Sequence, residues 1–252
     1  MTWSSEPSFA HVDDARRAAA RWGLALYERP RKGSLQRALG TVADALLVRG
    51  GDGWTLVDAG GSLRVTPGLA LLRLKRLASG GALPDLLLRH AGITAGETIV
   101  DATLGLAADA RVLASAAGPT GRVIGLEASL PLAVLLSEGL ALETPWPGSA
   151  PLEIVHARAD TWLRAQPSRS VEVVFFDPMF ERTKAASPAF QHLRRFAEMT
   201  AISRATIDEA RRVARRLVLM KSSDPSLFPP LGLEPLAPSS TASVYWGRLV
   251  VR

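Results

Sequence analysis

The sequence predicts an α/β protein: a doubly wound, mostly parallel seven-stranded sheet preceded by a small N-terminal α+β domain. Three observations predict it. From residue 82 onward, short apolar runs alternate with helical segments, the pattern of strands joined by crossover helices. Several runs are almost continuously apolar, as in Val-Glu-Val-Val-Phe-Phe (171–176), which is how a strand buried on both faces reads. The last ten residues, Ser-Val-Tyr-Trp-Gly-Arg-Leu-Val-Val-Arg, alternate instead and fit an edge or antiparallel strand that closes the sheet.

Taken in order, residues 12–22 read as a helix with an aspartate cap near its start and Gly23 as its stop. Strands at 42–49 and 54–58 flank the turn Gly50-Gly51-Asp52-Gly53, and 62–66 supplies a third. These elements make up an N-terminal domain over 1–78. The second domain, 79–252, takes strands at 97–101, 122–127, 152–156, 171–176 and 216–221, with a closing pair near 232–236 and 243–251. Its helices are expected at 83–91, 107–117, 130–141, 158–165 and 188–214, the last open to a break.

With 252 residues, 47% hydrophobic and 21% charged, the chain can bury a sizeable core and has the composition of an autonomously folding globular protein. No apolar stretch reaches the roughly 18–20 residues of a membrane span, and Met-Thr-Trp-Ser-Ser-Glu lacks the basic start of a signal peptide, so a cytoplasmic location is expected. The absence of cysteine excludes disulfides, thiolate metal sites, iron–sulfur clusters and a cysteine nucleophile. His11, His90, His156 and His192 show no ligand spacing, and no metal site is expected. A net charge of +6 suits a polyanionic partner, although only four of the 30 basic residues are lysine, a skew that genome composition also produces.

Chemistry is expected at the carboxyl ends of the strands, where ligands gather on open α/β sheets. The run 171–176 stops at Asp177, and Pro178 and Phe180 follow. A carboxylate that accepts from an NH2 group, a proline that fixes the turn and a ring that stacks together suit a flat ring bearing an exocyclic amine. The blander reading is that Asp-Pro ends a strand and Phe180 is core. Asp101 and Glu127 end two further strands, and Asp160 follows a fourth by four residues. Gly105 permits a tight turn, and the helix starting near Ala107 offers free amides to a ligand. Glu127 follows Asp101 by 26 residues, near the roughly 20-residue spacing of a ribose-binding carboxylate; otherwise it is a solvated strand end. Asp160 is either an acceptor for an adenine amine or the N-cap of 161–165. Asp101 and Asp109 either bind ligand indirectly or hold the loop through its amides. The loop's single glycine argues against a pyrophosphate-binding nicotinamide site.

Read together, these residues resemble the class I S-adenosylmethionine-dependent methyltransferases, and most of all the small-subunit ribosomal RNA (guanine-N2) methyltransferase J family. The resemblance is carried by Ala-Arg-Trp-Gly-Leu (20–24), Val-Asp-Ala-Thr-Leu-Gly-Leu-Ala-Ala-Asp-Ala-Arg-Val-Leu-Ala-Ser (100–115), Ile-Val-His-Ala (154–157), Asp-Pro-Met-Phe-Glu-Arg-Thr-Lys (177–184) and Leu-Val-Leu-Met-Lys-Ser-Ser-Asp (217–224). It implies S-adenosyl-L-methionine as cofactor, with contacts at Ala108, Asp109, Glu127, Ala128, Arg158, Ala159 and Asp177, and ribosomal RNA or the small ribosomal subunit as partner. The sequence departs from the family at Ala108, where the family has arginine, at Arg158-Ala159, where it has paired serines, and at Gly80-Gly81, where it has a longer glycine-rich stretch.

In this reading the Asp177 carboxylate and the Pro178 carbonyl hold the acceptor amine, and Phe180 stacks on its base. Lys221 either meets a phosphate or snorkels from its strand end. Arg182, Lys184, Arg194, Arg195, Arg211, Arg212, Arg215 and Arg216 are candidate RNA contacts around the same face. Methylation of an adenine N6 or a protein amide, and a non-catalytic nucleoside- or RNA-binding module of the same fold, remain open alternatives. Covalent pyrimidine-C5 methylation is excluded, because it needs a thiolate.

Overall fold

The computed structural model describes residues 1–30, 33–66, 68–80, 85–178, 193–197, 200–237 and 244–252, without the side chain of Leu69. The described residues fall into two compact units. One comprises Met1–Thr66, Ser129–Thr144 and the described part of Ala185–Ala197; the other comprises the described parts of Pro67–Ala128, Pro145–Lys184 and Glu198–Arg252. The residue-78 boundary drawn from composition therefore falls at Thr66, and the first unit also takes in a helix from the middle of the chain.

In the first unit, β1 (Thr2–Trp3), β2 (Ala45–Gly50), β3 (Gly53–Asp58) and β4 (Gly61–Arg64) form a sheet in chain order. The hairpin expected around Gly50–Gly53 is present, with Gly50 paired to Gly53. Helix α1 (Phe9–Trp22) begins three residues before the expected start. Its cap is Ser8, whose hydroxyl accepts from the His11 amide, and not an aspartate; Asp13 and Asp14 sit further inside and pair with Arg17. Ala15, Ala18 and Ala19 give it a small-residue face that lets the helix approach its neighbours closely. A one-turn helix, α2 (Leu35–Ala38), packs Ala38 with Leu46 and Val48.

The second unit begins with α3 (Gly68–Ala78) and α4 (Leu86–Ala91), the latter capped by Asp85, which accepts from the Leu87 and Leu88 amides. Its strands are β5 (Thr98–Asp101), β6 (Arg122–Glu127), β7 (Leu152–His156), β8 (Val171–Phe176), β9 (Ala214–Ser222), β10 (Glu234–Pro235) and β11 (Tyr245–Val250). They form one seven-stranded sheet in the order β10-β11-β9-β8-β5-β6-β7. Strand β11 pairs antiparallel on both sides, while β5 through β9 pair in parallel, so the expected mostly parallel sheet is present. Connecting helices are α5 (Ala108–Ala117), α6 (Leu130–Leu140), α7 (Ala159–Ala165), α8 (Arg204–Val213) and α9 (Phe228–Leu231). Of these, α6 belongs to the first unit. The expected 188–214 helix is helical at 193–196 and again over α8; residues 188–192 lie outside the described set.

Alternation along the strands sorts the side chains. Val100, Ile124, Leu126, Val174, Phe176, Val218 and Met220 point to one face and form a core with Leu163 of α7 and Ile207, Ala210 and Val213 of α8. The opposite face carries Asp101, Gly125, Phe175 and Leu219, level with one another in the ladder. By the same parity Glu127, Asp177 and Lys221 belong to that second face. The apolar pattern that buries one side thus delivers three carboxylates and a lysine to the other.

Candidate active site

Strand order decides which of these groups meet. Strands β6 and β8 flank β5, so Glu127 and Asp177 are separated by two strand spacings of about 4.8 Å, roughly 10 Å across the carboxyl edge of the sheet. Between them Asp101 ends β5 and is 1% exposed. After it the chain turns back on β6: the Leu104 amide donates to the Leu126 carbonyl at 3.0 Å. Gly125 permits this approach, since a Cβ there would lie 2.5 Å from Leu104 Cδ1. Gly105 adopts a φ of +55°, the left-handed turn its lack of a side chain allows. Ala108 is the first residue of α5, whose N-terminus has no side-chain cap, so its first amides face the turn.

The Asp177 backbone is fixed by its amide, which donates to Thr103 Oγ1 at 2.5 Å. Its carboxylate is fixed by Lys221, with Nζ 2.5 Å from Oδ2. The same ammonium lies 3.0 Å from Asp109 Oδ2. Asp109 also pairs with Arg73, and Arg73 grips Asp85 through two bonds of 2.7 and 3.0 Å. Asp109 therefore serves buried ion pairs through its side chain; with 13% side-chain exposure it needs counter-charges more than the loop needs its carboxylate. Lys221 neither snorkels to solvent nor stands as an isolated phosphate ligand.

The protonation states follow from this packing. Burial first, then the Asp109 and Asp177 charges, push Asp101 up to about 8, against bonds from the Thr103 amide and the field of Lys221. Burial also raises Asp177, and with Asp109 outweighs Lys221, leaving it at about 6. For Asp109 burial works upward, but Lys221 and Arg73 prevail and hold it below the ordinary carboxylate range. Lys221 is raised above the ordinary lysine value because its two carboxylates outweigh its own burial.

The remaining predicted residues lie along the same edge. Glu127 is 7% exposed, and Ala128 accepts a 3.1 Å hydrogen bond from His156 Nε2. Arg158 precedes α7 and Ala159 opens it. Asp160 is the second residue of that helix and not the cap of 161–165: Arg158 occupies the cap position. The Asp160 carboxylate receives the Thr161 amide at 2.9 Å and Arg158 Nε at 3.2 Å, which commits it locally. Pro178 is half-buried beside Asp177, whereas Phe180, Arg182 and Lys184 lie outside the described residues.

Four proposed RNA contacts are at the other end of the sheet. Arg215 and Arg216 lie near the start of β9, roughly 16–20 Å from Lys221 at the strand rise of ~3.3 Å per residue, and Arg211 and Arg212 end the helix that leads into it. Arg216 binds Glu97 and the Ala91 carbonyl, Arg215 binds Glu172, and Arg212 binds the Leu163 and Gln166 carbonyls. These are structural roles. Arg195 pairs with Asp58 within the first unit. The residues that sequence reasoning missed are Arg73, Asp85 and Thr103; only Asp85 has a local signal, as a cap ahead of a leucine run.

A family model described as "Putative SAM-dependent methyltransferase" matches residues 72–241. The chain belongs to this methyltransferase family. The methyltransferase is 31% identical over 227 residues to the uncharacterized protein YpiP of Bacillus subtilis, covering 88% of this chain and 87% of that one. It is 36% identical over 123 residues to ribosomal RNA small subunit methyltransferase J of Laribacter hongkongensis, covering 46% and 43% of the two chains. In fold it resembles the SAM-dependent methyltransferase NGO1261 of Neisseria gonorrhoeae, with a TM-score of 0.66 at 20% identity over 99% of this chain and 94% of that one. S-adenosylmethionine is accordingly the cofactor of this methyltransferase. The donor set fits it: a buried carboxylate at the end of β6 for a ribose, a left-handed glycine turn, and an uncapped helix start. Among the described residues no group of acidic or histidine side chains is placed to hold a metal ion, and no helix is long and apolar enough to cross a membrane.

Proposed function

We propose that this methyltransferase modifies the exocyclic N2 amine of a guanine in small-subunit ribosomal RNA. The observation that carries the reading is the Asp177-Pro178 turn, set at the end of β8 two strands from Glu127, with its carboxylate oriented by Lys221. Relatives named ribosomal RNA small subunit methyltransferase J support the substrate class, including one from Cronobacter sakazakii, 32% identical over 164 residues.

When bound, S-adenosylmethionine supplies an electrophilic methyl carbon on a positively charged sulfur. Glu127 would hold its ribose hydroxyls, and the Leu104–Ala108 turn its amino-acid end. An exocyclic guanine amine is a weak nucleophile, because its lone pair is delocalised into the ring. Accepting hydrogen bonds from the NH2, the Asp177 carboxylate and the Pro178 carbonyl would pyramidalise the nitrogen and aim it along the line of displacement. On taking up the methyl group the amine must shed one proton, and the Asp177 carboxylate would accept it. A carboxyl titrating near 6 is ionised at neutral pH and basic enough to take it. Phe180, in this proposal, stacks on the base.

Mass spectrometry of small-subunit ribosomal RNA from cells with and without the gene tests the reading. Loss of one N2-methylguanine is expected, and an unchanged modification profile would overturn it.

A further inference from the structure

Lys221 is held more tightly than a strand-end lysine needs to be. Its side chain is 20% exposed, its ammonium contacts two carboxylates, and it lies 5.8 Å from the centroid of Trp246, its cross-strand partner on β11. Immobilising this long, rotamer-rich side chain costs conformational entropy that a solvated role would not require. The far end of the network is equally anchored. Asp109 is tied to Arg73, and Arg73 to Asp85, whose carboxylate caps α4. The result is a line of alternating charge, Asp85, Arg73, Asp109, Lys221 and Asp177, drawn from separate stretches of the chain and ending at the proposed acceptor site.

We infer that Lys221 is a positioning residue for methyl transfer: by engaging Oδ2 of Asp177 it keeps that carboxylate anionic and assigns Oδ1 to the acceptor amine. The inference rests on the reading that Asp177 meets the acceptor. The groups facing Asp177 are Lys221 from β9, Asp109 from the first turn of α5 and Asp101 from the end of β5, with the Thr103 hydroxyl on its amide. Apart from Lys221, the charged group facing Asp177 is the Asp109 carboxylate, Asp101 being protonated at neutral pH, and burial works in the same direction as Asp109. Without the ammonium, two buried carboxyls would stand together, and one of them would retain a proton at neutral pH. A protonated Asp177 presents a donor where the amine needs an acceptor. Lys221 therefore acts on turnover through Asp177, and little on cofactor affinity.

The test compares wild type, Lys221→Met and Lys221→Arg by carboxyl-carbon NMR, with the Asp177 signal assigned from Asp177→Asn. In wild type the Lys221 ammonium resonance should step at the pH where Asp177 titrates, a readout that needs neither substrate nor variant. In Lys221→Met the Asp177 titration should rise by roughly one to two pH units, the worth of a charged hydrogen bond, and Lys221→Arg should bring it back toward wild type. Methyl transfer to small-subunit RNA at pH 7 should fall about two- to tenfold in kcat for Lys221→Met, as the ionised share of Asp177 drops from about nine tenths to between a half and a tenth, with KM for S-adenosylmethionine within about threefold. A wild-type lysine resonance with no such step, or an Asp177 titration unmoved in folded Lys221→Met, would overturn the inference. Wild-type protein that methylates no RNA would instead remove the substrate reading while the titrations still decide the role of Lys221.

Discussion

The sharpest consequence of the site is an acid limb in the rate. Asp177 is drawn up to about 6 by burial and by Asp109, so about nine tenths of it is ionised at pH 7 and about a tenth at pH 5. If the carboxylate is the form that accepts from the amine, single-turnover methyl transfer to RNA should fall roughly tenfold between pH 7 and pH 5. The perturbation that isolates this group is Asp177→Asn, which keeps the shape and one acceptor oxygen but removes the charge. Losing a charged hydrogen bond costs about 1.5–3 kcal/mol, equivalent to roughly 10- to 100-fold in rate, before any loss of alignment. The variant should therefore be slow at pH 7, lack the acid limb, and bind S-adenosylmethionine within a few-fold of wild type by calorimetry. Wild-type turnover in Asp177→Asn, or an acid limb that survives the substitution, would refute the assignment of the carboxylate to the acceptor.

Three further outcomes follow from the same geometry. Asp101 is raised to about 8 by burial, so between its unfolded value near 4 and pH 8 the folded state holds a proton that the unfolded state releases; stability should fall with rising pH across that window, by up to about 1.4 kcal/mol per unit. Asp101→Asn should flatten that slope in urea denaturation at pH 5 to 8, and parallel curves for the two proteins would contradict the buried neutral carboxyl. Gly125→Ala would press a methyl group into Leu104, costing about 1–3 kcal/mol or displacing the turn, and should lower the melting temperature and weaken cofactor binding together. Glu127→Ala should weaken S-adenosylmethionine roughly 10- to 100-fold by calorimetry, while unchanged affinity would exclude a ribose contact.

Much of the second unit was legible because its signals are local. The runs ending at Asp101, Glu127 and Asp177 are strands over nearly the predicted residues because interior parallel strands are largely apolar on both faces, and the edge strand Leu152–His156, with Glu153 and His156 exposed, is likewise where the sequence placed it. Cap chemistry was less legible: the acidic pair Asp13-Asp14 drew attention from Ser8, whose backbone and not its neighbours' charge made it the cap. Asp160 misled for the same reason, since an acidic residue near a helix start suits either the cap or the first turn.

By itself, the sequence determined the alternation of strands and helices, the turn after Asp101 and the presence of acidic groups at strand ends, all consequences of periodicity within a few residues. The tertiary structure decided which charges share a neighbourhood. Lys221 meets Asp109 across 112 positions and Asp177 across 44, whereas Arg215 and Arg216, a few residues away in the chain, lie at the opposite edge. Strand order and direction set those distances, and a charge acts on what lies within a few ångströms of it.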